Sequence, residues 1–181
     1  MRAVGRSKPP TEAFVDVYDE HIWDVYGFLA YRLGSRPDAE DLTQQTFERA
    51  LRAWARFDPA KASPKTWLLA IARNLLIDHH RYSAVRPEDP ADDEVLEAHS
   101  DHNAGPAPDL GLSPALASGL AALSDRDREV VGLRYGGDLT GPEIADELGL
   151  TLANVQQILS RSLRRLREHV GSPERARSGS V

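Results

Sequence analysis

The stretch that most limits how this chain folds is LTGPEIADELGLTLANVQQILSRSLRRL, residues 139–166. Thr140 stands just before a short helical pattern carrying Ile144, Ala145 and Leu148, where its hydroxyl suits an N-cap. Gly149 ends that pattern, and Thr151 caps a longer helix over 152–170. Ala145 is small where two such helices would cross, and Leu148, Leu150, Val155 and Leu159 would lock them into one unit. A short helix, a tight glycine turn and a longer helix form the layout of a DNA-reading helix-turn-helix. Rotation by about 100° per residue turns Leu152, Val155, Leu159, Leu166 and Val170 inward. Ala153, Gln157, Ser160 and Arg164 then point outward, flanked by Asn154, Gln156, Arg161 and Arg167. Arg, Ser, Gln and Asn are side chains that meet phosphates and base edges. The alternative is an αα-hairpin with a solvated polar face, in which the arginines of 161–167 answer only the helix dipole.

The rest of the chain is also patterned for helices. Residues 12–33 place Phe14, Tyr18, Ile22, Val25 and Leu29 on one stripe, with Thr11 as cap and Gly34 as stop. Residues 38–56 repeat the period with Ala39, Leu42, Thr46, Phe47, Ala50 and Trp54. A third helix begins at Ser63, with Pro64 at its first position, where a missing N–H costs nothing. Its stripe is Leu68, Ile71, Ala72, Leu75 and His79, and Trp67, beside LLAI, is favoured as core. Beyond residue 112, Leu116, Leu120 and Leu123 mark a helix over 114–123, and SDRDREVV starts another over 125–135. No strand pattern and no internal repeat is present. The expected fold class is all-α, with two small helical domains on a tether.

A net charge of −6 argues at first against nucleic acid, but its distribution reverses that. Residues 1–85 carry 12 basic and 11 acidic side chains, and 113–181 carry nine of each. Residues 86–112 hold one basic and eight acidic side chains and are rich in Pro and Gly. That segment is an acidic flexible linker, with a short helical stretch near Glu94–His99. The flanking parts are left to present local basic faces. There is no cysteine, hence no disulfide framework and no Cys-based metal site. The N-terminus lacks the apolar stretch of a signal peptide, and no apolar run nears the length of a membrane span.

Three stretches at this spacing carry a family resemblance: DAEDLTQQTFERALRAWARFD, then SPKTWLLAIARNLLIDHHRY, and, after the linker, LSDRDREVVGLRYGGDLTGPEIADELGLTLANVQQILSRSLRRLRE. Together they resemble a bacterial RNA polymerase sigma factor of the extracytoplasmic-function (ECF) group of the sigma-70 family. The resemblance covers roughly 11–85 and 114–170. It implies a sigma-2-like three-helix bundle over 11–85, a sigma-4-like helix-turn-helix domain over 113–170, and disordered ends at 1–10 and 171–181. The implied partners are core RNA polymerase and promoter DNA, with a cognate anti-sigma protein typical of the group. No catalysis, cofactor, metal or membrane is implied, and the implied location is cytoplasmic.

Residue by residue, the AEDLxQxxF helix of such factors docks on the β′ clamp helices. This assigns Asp41, Gln44, Gln45 and Phe47 to polymerase, with Arg49 and Arg52 nearby. Gln45 stands where the family usually has Glu, so one charge is missing. The loop FDPAKASP and the helix after it correspond to the part that meets and opens the −10 element. Opening must repay a few kcal/mol per extruded base, by a base pocket and by positive charge along the single strand. The candidates are Lys61, Ser63, Lys65, Arg73, Asn74, Asp78, His80 and Arg81. The last domain corresponds to the part that binds the −35 element and sits on the β flap. Its candidates are Thr151, Ala153, Asn154, Gln156, Gln157, Ser160, Arg161, Arg164 and Arg165. Many relatives are basic where Gln156 and Ile158 stand, while Arg161 matches a frequent arginine. Gln156 or Gln157 would then read bases, since Gln pairs bidentately with adenine, and Arg161, Arg164 and Arg165 would hold phosphates. The linker would thread through the polymerase toward the RNA exit path or serve as a soluble spacer.

Two other readings compete. A stand-alone helix-turn-helix regulator would use residues 113–170 alone, but 1–85 lack the βα pattern of a receiver domain. A metal phosphoesterase is suggested by DHH at Asp78–His80. That signature needs a strand-to-loop setting and further acidic ligands, whereas here it lies in an amphipathic helix with His79 toward the core.

Overall fold

The computed structural model describes residues 12–85 and 112–171. Among them the chain is helical, without strands. The helices are α1 (Glu12–Leu33), α2 (Arg36–Ala53), α3 (Pro64–Val85), α4 (Pro114–Ala121), α5 (Asp125–Val131), α6 (Gly141–Leu148) and α7 (Leu152–Val170). A 3₁₀ turn at Trp54–Arg56 extends α2, and a π-turn at Gly132–Gly136 extends α5. The expected cap at Thr11, the acidic linker with its helical stretch near 94–99, and the tail lie outside the described residues.

Several boundaries follow from local chemistry. Gly34 takes φ +66° and stops α1, a conformation that costs a residue with a Cβ. Pro37 at the start of α2 lets that helix begin at Arg36, two residues before the sequence pattern placed it. Ser63 Oγ accepts from Thr66 N at 3.2 Å, capping α3. The expected helix over 125–135 stops being α-helical at Val131. Gly137 N bonds Gly132 O at 2.9 Å, an i→i+5 bond that closes the π-turn.

The N-terminal half packs α1, α2 and α3 around an aromatic cluster. Phe14 meets Phe47 and Trp54 edge-on at 6.4 and 5.3 Å, and Tyr18 meets Phe47 at 4.7 Å. Trp67 is partly buried against Trp54 and Phe57, so it belongs to this core as its setting beside LLAI suggested. The stripe of α2 is buried at every expected position. In α1 the burial is wider than one stripe: Val17, Phe28 and Ala30 are buried besides Phe14, Val25 and Leu29, while Tyr18 and Ile22 lie at the edge. In α3 Leu69 and Leu76 are buried, while Ile71 and His79 are only partly covered.

The cause is the second half of the chain, which packs onto the first. One apolar core runs from Phe28, Leu29 and Leu69 into Val130, Leu133, Leu139, Ile144, Val155 and Ile158. Each fully buried Leu or Phe here contributes about 2 kcal/mol. The closest approach joins α1 to the π-turn: a Cβ at Gly27 would come 2.5 Å from the Gly136 carbonyl oxygen. Arg32 crosses the same seam and donates to the Asp125 carbonyl at 2.8 Å. In this structure the two helical units therefore share a core. A smaller cluster of Leu120, Leu123, Val131 and Leu166 fixes α4 and α5 to α7.

Candidate nucleic-acid interface

The helix-turn-helix is built as its cap residues require. Thr140 N and Oγ1 both donate to Glu143 Oε2, at 2.8 and 2.6 Å. These two donors, the hydroxyl first, hold the Glu143 carboxyl below its ordinary pKa. Gly149 takes φ +63°, and Leu150 N returns to Ala145 O at 2.8 Å. Thr151 Oγ1 accepts from Asn154 N at 3.2 Å and starts α7. Ala145, as expected, is buried at the crossing.

The buried stripe of α7 is Val155, Ile158, Ser162 and Leu166, which corrects the expected inward set. Leu152 and Val170 are 40% and 42% exposed, and Leu159 is only partly buried. Leu152 lies over Gly141, at the rim of the turn, because the helix rotates to bring Ile158 into the core. Ile158 is thereby part of the core and is not available to DNA. Ala153, Asn154, Gln156, Gln157, Ser160 and Arg164 form an exposed polar face, with Thr151 exposed at its head.

Arg161 is placed otherwise. Its Nη2 lies 2.6 Å from Asp127 Oδ1, and Arg165 Nη1 lies 3.7 Å from Oδ2 of the same carboxylate. Asp127 is 3% exposed. The pair therefore ties α7 to α5, and Arg161 is first of all part of the fold. Asp127 was not singled out in the sequence; within SDRDREVV it looks like a first-turn acid at a capped helix start. Its partner lies 34 positions away, and no local pattern joins the two.

On α2, Asp41, Gln44, Arg49 and Arg52 are exposed and Gln45 is half-buried. Phe47 is buried in the aromatic core and supports this face from behind. Gln45 Nε2 donates to Asp41 Oδ2 at 2.7 Å. The glutamine thus replaces an i,i+4 carboxylate repulsion with a hydrogen bond. Gln44 and Arg52 both reach Glu48, and Arg49 approaches Asp78 at 3.8 Å.

The −10 candidates divide into two groups. Lys61, Asn74 and Arg81 are exposed. Lys61 sits in a turn closed by its N–H to Asp58 O at 3.0 Å, and Phe57 anchors that loop by stacking on Trp54 at 5.0 Å. Ser63 is engaged in capping α3. His80 also lies at the surface; burial of part of its ring, then the nearby charges of Arg32 and His79, push its pKa down. The second group faces the other half. Arg73 Nε lies 2.6 Å from Glu129 Oε1, and Lys65 Nζ lies 3.2 Å from Asp24 and 3.4 Å from Asp138. Burial works against the Lys65 charge, but the two carboxylates outweigh it and raise the pKa. Asp78 and His80 lie on the exposed side of α3, and no group of His, Asp or Glu among the described residues has metal-binding geometry.

The fold is a helical bundle with a cation-bearing loop and helix, followed by a helix-turn-helix with an open polar face. Family models agree in both halves: sigma-70 region 2 matches residues 17–85, and sigma-70 region 4 matches 119–168. ECF RNA polymerase sigma factor RpoE of Cereibacter sphaeroides is 30% identical over 179 residues, covering 94% of this chain and 92% of that protein. SigM of Bacillus subtilis is 30% identical over 152 residues, covering 84% and 91%. BldN of Streptomyces coelicolor is 34% identical over 157 residues, 86% of this chain, but the match spans only 59% of BldN. The chain belongs to the ECF RNA polymerase sigma factors. These are initiation factors and not enzymes.

Two solved structures share the fold. RpoE in complex with the anti-sigma factor NepR from Bartonella quintana has a TM-score of 0.65 at 19% identity, covering 90% of this chain and 99% of that one. CnrH in complex with the cytosolic domain of CnrY has a TM-score of 0.60 at 22% identity, covering 91% of each chain. The region 2 match removes the ground for a stand-alone regulator, because the N-terminal half is itself a sigma region. No helix among the described residues is long and apolar enough to cross a membrane.

Proposed function

We propose that the chain binds core RNA polymerase, directs it to promoters bearing two DNA elements, and helps open the −10 element. The observation that carries this reading is the pairing of the two sigma regions, in order, with an open polar face on α7. Residues 11–85 dock on the β′ clamp helices through Asp41, Gln44, Gln45, Arg49 and Arg52, with Phe47 as their buried support. The same unit takes the −10 strand through Lys61, Lys65, Arg73, Asn74 and Arg81. Residues 113–170 sit on the β flap and take the −35 element through Asn154, Gln156, Gln157, Ser160 and Arg164. The segment 86–112 tethers the two. An anti-sigma protein controls the chain, a reading supported by the complexes in which the structural neighbours were solved. The place of action is the cytoplasm, where polymerase meets DNA.

The test is run-off transcription from genomic fragments of the host with core polymerase, with and without the chain. Discrete promoter-dependent products appear only when both are present. Absence of any chain-dependent product would contradict the proposal. Gln156→Ala and Gln157→Ala, assayed separately, identify the base reader. A lost bidentate contact to adenine costs about 1–3 kcal/mol of discrimination, seen as a changed −35 preference without loss of folding.

A further inference from the structure

We infer that Leu152 reads a thymine methyl group in the −35 element, so that α7 selects its promoter in part by an apolar contact. This rests on the proposed docking of α7 at that element. No charged side chain stands between Thr151 and Ser160, and the first arginine of α7, Arg161, is held by Asp127. The front of the helix therefore has no cation for a phosphate. It has the polar groups of Asn154, Gln156 and Gln157, which match base edges. Among them stands one large apolar group, Leu152, 40% exposed. Ala153 beside it is also exposed and adds only a methyl.

An exposed leucine is by itself ordinary on a protein surface. Position and bracing set this one apart. Leu152 is the first residue of α7, and the N-terminal residues of the second helix in a helix-turn-helix are those that reach base edges. Its side chain leans on the first residue of α6: a Cβ added at Gly141 would come 2.9 Å from Leu152 Cδ1. The bare glycine thus leaves a seat for the leucine, which is held at the rim with part of its surface open. In the major groove the apolar group that a base pair presents is the thymine C5-methyl. Against a donor or acceptor the leucine would cover a polar group without pairing it, which costs free energy. Gln156 is the i,i+4 neighbour of Leu152 and shares its flank of the helix. About 6 Å of helix rise separates the two, close to two base steps of about 3.4 Å. Gln pairs bidentately with adenine, so this flank fits a thymine and an adenine within about two steps of each other.

The test removes one methyl from the DNA and leaves the protein intact. Chain with core polymerase is footprinted on a promoter fragment to find the −35 region it protects. Each thymine there, on either strand, is then replaced singly by uracil, which lacks only the C5-methyl. One replacement should weaken binding of the polymerase complex by about fourfold, the effect of uncovering one methyl-sized group. Leu152→Ala should weaken binding to the thymine promoter by at least as much and should lose its sensitivity to that uracil. Leu152→Met, which keeps an apolar side chain of similar reach, should keep the sensitivity. Far-UV circular dichroism of both variants should match the parent, because the substituted side chain lies at the surface. If no replacement weakens binding, if the protected region has no thymine, or if Leu152→Ala keeps the uracil effect, the inference is overturned and the sigma-factor reading stands. If the chain gives no −35 protection with core polymerase, the sigma-factor reading itself fails and this one with it.

Discussion

Arg161 stands where the family resemblance suggested a phosphate contact, yet its guanidinium answers a carboxylate inside the protein. Asp127 is nearly fully covered, so removing Arg161 leaves a buried negative charge with only Arg165, at 3.7 Å, to replace it. Breaking a fully buried pair costs 3–5 kcal/mol; with Arg161 42% exposed on its side chain, the loss should be about 1–3 kcal/mol. Denaturant unfolding of Arg161→Ala should show that loss, whereas Gln157→Ala should stay within about 0.5 kcal/mol of the parent. An Arg161 variant that kept full stability would return this side chain to the DNA. The contrast shows what sequence makes legible. Ser63, Thr140 and Thr151 were readable as caps because a cap and its hydrogen-bond partner lie within three residues. The Asp127–Arg161 and Arg73–Glu129 pairs span tens of residues, and only packing brings them together.

The α6–turn–α7 unit was legible almost whole. Its punctuation is local, from Thr140 through Gly149 to Thr151, and tertiary packing does not oppose it. The rotation of α7 was not legible, since Leu152, Leu159 and Ile158 are all apolar and the neighbour decides which is buried. The breadth of burial on α1 and α3 was missed for a related reason, because the period of one stripe does not reveal a second partner. Within this unit the capping box has a pH signature. The Glu143 carboxyl is held below its ordinary pKa, so its contribution is full above the unfolded value and is lost as pH falls through the lowered folded value. Glu143→Ala should cost about 1 kcal/mol at pH 7. Urea unfolding of parent and variant should converge as the pH falls below that lowered value. A constant gap across that range would mean that the carboxylate charge is not what caps α6.

The chain as a whole was legible as two helical units in the order of sigma regions 2 and 4, because each carries its own pattern. Their mutual packing was not, since the sequence offered a tether and no sign of a shared core. That packing bears on how an acidic chain meets DNA. The front of α7 carries little charge, two of the cations proposed for the −10 strand face carboxylates, and Arg161 is held by Asp127. The proposed function accounts for this by drawing affinity from polymerase and from two DNA elements engaged together. Footprinting on one promoter fragment, with permanganate to detect unpaired thymines, tests this most directly. Chain with core polymerase should protect both the −35 and −10 regions and make −10 thymines reactive. The chain alone, at the same concentration, should do neither. Sequence-specific protection of the duplex by the chain alone would contradict this account.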